Sequence, residues 1–68
     1  MRISARNRLV GKIIEIQLGT VTALVAVQVG DHTIESVITR RSVEEMELKV
    51  GDTVAAAVKS TDVLITKA

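Results

Sequence analysis

The sequence predicts an all-β fold: a small Greek-key barrel of five strands with one short helix between strands 3 and 4. Three observations carry that expectation. Apolar residues recur with period two along most of the chain, glycine-containing turns punctuate them, and a single helix-start signature interrupts the pattern. A sandwich would need more strands and more length than 68 residues supply.

The first strand runs from Leu9 to Gln17, carries Ile13, Ile14 and Ile16, and ends at Leu18-Gly19, where glycine accepts a turn conformation other residues resist. Thr20 to Val29 follows, with Val21, Ala23, Val25, Val27 and Val29 on one face and Thr20, Thr22, Leu24, Ala26 and Gln28 on the other. Gly30-Asp31 is a two-residue loop with glycine first, as a type II′ hairpin requires. The third strand, His32 to Arg40, alternates Ile34, Ser36 and Ile38 with Thr33, Glu35, Val37 and Thr39.

Ser42-Val43-Glu44-Glu45 reads as a capping box opening a helix that ends near Leu48, and its acids suit the positive end of the helix dipole. Val50-Gly51-Asp52 turns the chain into a fourth strand, Thr53 to Lys59, and Asp62 to Thr66 supplies a fifth. The two Val-Gly-Asp triplets are two turns using one chemistry rather than a repeat. Five strands with one helix after the third describe an OB-like barrel.

A core this small needs help. A folded chain of this length buries only about 60% of the surface its unfolded form exposes, against an ordering cost on the order of 100 kcal/mol. With no Cys there are no disulfides, one His (His32) cannot build an imidazole metal cage, and no Phe, Tyr or Trp fills volume. Oligomerisation is the remaining support. The longest apolar run, Ala23 to Val27, is too short for a bilayer, and the N-terminus lacks a signal-peptide apolar region, so a cytoplasmic location without membrane contact is expected.

Formal net charge is +1, but Arg2, Arg6, Arg8 and Lys12 stand in the first twelve residues without an acid, while Glu44, Glu45, Glu47 and Asp52 gather later. Two readings of that basic start stand: a compact anion site, or a solvated tail. Enzymatic constellations do not assemble. His32 adjoins a hairpin turn, the clustered glutamates belong to a helix start, and no phosphate-loop or dinucleotide pattern occurs. An OB-type nucleic-acid platform stacks bases on aromatic side chains, and this chain has none.

What remains is hydroxyls and cations at strand ends. If Met1 to Leu9 is extended, Arg2, Ser4, Arg6 and Arg8 share one face and Ile3, Ala5, Asn7 and Leu9 the other. Thr39 and Ser42 flank Arg40 and Arg41, and Lys59-Ser60-Thr61 joins an ammonium to two hydroxyls. A tetrahedral oxyanion needs many directed donors and modest positive charge, which these groups offer; routine turn and capping duty is the other reading.

The segment Ile3-Ser4-Ala5-Arg6-Asn7 with Leu9, Gly11 and Lys12, then Ser36-Val37-Ile38-Thr39 leading to Ser42-Val43-Glu44-Glu45, then Lys59-Ser60-Thr61-Asp62-Val63, closely resembles the molbindins. These are small molybdate-binding proteins of the Mop family, whose unit is also called the TOBE domain. The resemblance spans essentially the whole chain and implies a single molybdate-binding domain over residues 1–68. It further implies a homo-hexamer, a trimer of dimers, holding molybdate or tungstate between subunits, with no cofactor, no cationic metal and no nucleic acid. Carried over residue by residue, it places Ser4, Arg6, Thr39, Ser42, Lys59 and Ser60 among the oxyanion donors.

Arg8, where many relatives have an uncharged amide, and Arg40-Arg41, where an acid is common, depart from the family pattern and add positive charge. The expected function is intracellular molybdate storage and homeostasis without catalysis. The alternatives are an accessory molybdate-responsive module of a transporter or regulator and, further off, an OB-type nucleic-acid binder.

Overall fold

A computed structural model describes residues 3–68, so the expectation for Arg2 lies outside the described residues. Four strands form one antiparallel sheet: β1 (Asn7–Leu18), β2 (Thr22–Val29), β3 (His32–Thr39) and β4 (Thr53–Val58), with the helix α1 (Arg40–Glu45) between the last two. Their spatial order is β3-β2-β1-β4, the Greek-key arrangement in which the fourth strand returns to lie beside the first. The all-β expectation with one helix after the third strand therefore holds.

β1 is the spine. Its first half pairs with β4 from Asn7↔Val58 to Lys12↔Thr53, and its second half pairs with β2 from Lys12↔Gln28 to Leu18↔Ala23. The changeover coincides with a register shift between Ile13 and Glu15. That bulge settles a phase the alternation left undetermined: Ile13 and Ile16 oppose Val27 and Val25 on the core face, and Ile14 turns out to solvent. Ile13 also exchanges backbone hydrogen bonds with the turn before β4, donating to Asp52 (3.0 Å) and accepting from Gly51 (2.8 Å).

The core comprises Ile13, Ala23, Val25, Val27 and Val43, with Ile16, Val29, Ile34, Ile38, Leu48 and Val54 packed against it. The β2 face expected to be apolar supplies three of these, whereas Val21 precedes the strand and is exposed. Gly30 has φ +59° while Asp31 stays at negative φ, the signs of a type II′ hairpin.

Two expectations change. The helix starts at Arg40, not after Ser42, because the hydroxyl of Thr39 accepts from the Ser42 amide and Thr39 is the N-cap. The Ser42–Glu45 capping box does not form; Glu45 accepts from Arg41 instead, at 3.1 Å, and the helix ends at Glu45 rather than near Leu48. The fifth strand is also absent from the described residues: Ser60–Asp62 is a single 3-10 turn, and residues 63–68 continue without pairing. A strand needs an edge to pair with, and here Leu64 and Ile65 stand 87% and 88% exposed. The sheet accordingly keeps β3 and β4 as its edges, and an apolar groove of about 300 Å³ lined by Ile34, Ile38, Leu48, Val54 and Val58 lies between them.

Candidate functional site

The six residues singled out by sequence fall into two groups on different elements. Ser4, Arg6, Lys59 and Ser60 flank the last rung of the β1–β4 ladder, Asn7↔Val58. Asn7 clasps that rung with its side-chain amide, which donates to the Val58 carbonyl at 3.3 Å. Immediately outward stand Arg6 before β1 and Lys59 after β4, both exposed, with exposed Ser4 at a bend. Ser60 opens the 3-10 turn, held by Asp62 N–H donating to the Lys59 carbonyl at 2.9 Å. Two cations at adjoining strand ends repel, so an anion between them is favoured.

Thr39 and Ser42 form the second group, at the corner where β3 enters α1. Thr39 Oγ1 accepts from Ser42 N–H at 3.0 Å and donates to Ser42 Oγ at 2.8 Å. That bonding commits the Thr39 proton and leaves the Ser42 hydroxyl proton free to donate outward. The corner is anchored to the β1–β2 turn: the Arg40 amide donates to the Val21 carbonyl at 2.8 Å, and its guanidinium reaches the Gly19 carbonyl at 3.4 Å.

The charge added by Arg40 and Arg41 is largely matched on the helix itself. Arg40 lies 3.6 Å from Glu44 and Arg41 3.1 Å from Glu45, each at i,i+4 spacing. Within each group the hydrogen bonds are local, so these residues stand as two separate sets of polar groups, exposed except for half-buried Ser42. The sequence motif contains Asn7 but carries no sign of its bond across the rung, and no local pattern encodes the Arg40 bond to Gly19, a contact between residues 21 positions apart.

Among the described residues no group of three or more His, Cys, Asp or Glu is placed to hold a metal ion, and no helix is long and apolar enough to cross a membrane. Hydroxyls, amides, a guanidinium and an ammonium are a chemistry for binding an oxyanion rather than a cation.

Comparison with known proteins bears on which oxyanion. The TOBE domain family matches residues 3–65. The chain is 48% identical over 66 residues to molybdenum-pterin-binding protein 2 of Clostridium pasteurianum, covering 96% of this chain and 97% of that one. Its fold is similar to a molybdate-binding protein from Sporomusa ovata, with a TM-score of 0.94, 37% identity, and coverage of 98% of this chain and 100% of the other. It is also similar to the cytoplasmic molybdate-binding protein ModG, solved with molybdate bound, at a TM-score of 0.83 and 36% identity, covering 88% of this chain but 43% of that longer one.

Proposed function

Because the chain belongs to the TOBE domain family, and the proteins it matches are named molybdenum-pterin-binding and molybdate-binding proteins, we propose that it binds molybdate and tungstate in the cytoplasm and serves to store and buffer them. The observation that carries the reading is the register of the Asn7↔Val58 rung, which sets exposed Arg6 and Lys59 at adjoining strand ends with exposed Ser4 and Ser60 close to them in the chain. Arg6 and Lys59 supply charge; Ser4, Thr39, Ser42 and Ser60 supply direction. No catalytic step is involved.

The anion is held between subunits. One group of donors leaves half of a dianion's hydration unreplaced, and a second subunit presenting its own group completes the shell. A homo-hexamer, built as a trimer of dimers, fits the exposed apolar segment Val63 to Ile65, the two free sheet edges and the small core. Molybdate and tungstate, nearly equal in size, bind alike, whereas smaller sulfate leaves some donors of a rigid shell out of reach.

Calorimetric titration tests the reading. Wild-type protein should bind molybdate and tungstate with similar affinity and sulfate far more weakly. Arg6→Ala and Lys59→Ala should each weaken molybdate about 10- to 100-fold, the worth of a hydrogen bond to a charged group, with an unchanged circular dichroism spectrum. Sulfate competing at equal concentration, or unchanged affinity in both variants, would refute the assignment. A second reading, a module serving a larger molybdate system, is favoured by the match to less than half of ModG; recovery of a stoichiometric foreign protein only with molybdate would support it.

A further inference from the structure

Beside the Arg6 and Lys59 group lies a charged strip that the binding role does not use. Arg8, Val10 and Lys12 pair with Ala57, Ala55 and Thr53, and all six are exposed, whereas Gly11, Val54, Ala56 and Val58 on the alternate positions are half-buried. Arg8 and Lys12 therefore stand on the outer face of the β1–β4 ladder over a floor of short side chains. No carboxylate occupies a paired position there. The ion pairs among the described residues are the two on α1, Arg40–Glu44 and Arg41–Glu45. Of the nearest acids, Glu15, three residues beyond Lys12, accepts from the Gln17 side-chain amide at 2.8 Å, Asp52 accepts from the Lys49 amide, and Asp62 sits in the turn after Lys59.

Arg8 also borders a cleft of about 320 Å³ whose other walls are Ile3, Met46, Val54, Ala55 and Ala57. Low-dielectric apolar walls beside an exposed cation direct its field outward into solvent. Resting on the anion-binding reading above, we propose that Arg8 is an electrostatic guide: it speeds entry of a tetrahedral dianion to the Arg6 and Lys59 group without touching the bound ion, and Lys12 assists weakly from farther along the strand. Strand geometry puts Arg8 roughly 7 Å and Lys12 roughly 20 Å from Arg6 along the chain. Screened Coulomb attraction on a dianion then gives Arg8 about a five-fold effect on association at 0.01 M salt and about two- to three-fold at 0.1 M, against less than about 1.5-fold for Lys12 at 0.01 M.

Nitrogen-15 NMR line-shape titrations with molybdate, which yield both affinity and dissociation rate, test this on the full chain at 10 and 100 mM sodium chloride. Arg8→Gln should lower the association rate about five-fold at 10 mM and two- to three-fold at 100 mM, with the dissociation rate within two-fold of wild type; Lys12→Gln should fall by less than about 1.5-fold. Equal association of wild type and Arg8→Gln at 10 mM would overturn the proposal. So would a loss carried by faster dissociation, which would make Arg8 a direct ligand, or equal effects from both variants, which would reduce it to net charge. A wild-type spectrum indifferent to molybdate would instead refute the functional reading on which the proposal rests.

Discussion

At Gly11 a single hydrogen atom lets β1 and β2 meet. A Cβ there would fall 2.2 Å from the Gln28 carbonyl oxygen and 2.9 Å from its carbon, a clash with backbone that no side-chain rotation relieves. Gly11→Ala should therefore cost more than about 2 kcal/mol, seen as a fall in melting temperature of at least roughly 8 °C at fixed protein concentration. A fall of under about 2 °C would mean that the strands part easily at this point. The glycine was visible in the sequence as part of a motif, but its reason was not, because the Gly11–Gln28 approach depends on a ladder closed by residues far away in the chain. The same holds for Arg40, whose charge sequence assigned to the surroundings of the site and whose actual neighbours are Glu44 and Gly19.

The helix shows how elements compete for the same residues. Ser42 and Glu45 satisfy a capping-box pattern, yet Thr39 three residues earlier is an equally good cap, and the Arg40 amide bond to Val21 fixes the chain there. At the other end Glu47 takes φ +52° so that its amide meets the Glu44 carbonyl and the Leu48 amide meets the Val43 carbonyl, a Schellman closure built without glycine. Glu47→Gly should remove that backbone strain and stabilise the fold by about 0.5–1 kcal/mol, raising the melting temperature by about 2–8 °C. A fall would show that the Glu47 side chain contributes more than its backbone costs. Strand boundaries were legible to within two residues wherever β-branched residues alternate, as in β2 and β3. The bulge at Ile14 was not, since Ile13, Ile14 and Ile16 fit either phase until Val25 and Val27 select one. The segment from Asp62 to Thr66 has strand composition but no strand in the single chain, because pairing is a property of two segments.

The whole molecule is larger than its chain length warrants. Its Cα radius of gyration is 12.7 Å, whereas a compact domain of this length has about 11 Å, and the excess matches a C-terminal segment lying away from the sheet. Among the described residues Ile13 is the one large side chain buried to below 2% exposure, and its fully buried companions are valines and alanines, so the core alone offers little margin. Exposed Val21, Val37, Leu64 and Ile65 instead place much of the apolar surface where a neighbouring subunit can cover it. In the proposed assembly the two open donor groups follow the same logic, since the surfaces that would stabilise the fold would also bring donors from separate chains to one anion. The most direct measurement is native mass spectrometry of the purified protein with molybdate, and with sulfate at equal concentration as the comparison. A hexamer that retains several molybdates and sheds sulfate is the expected result; a monomer or dimer that retains neither would contradict the proposed function.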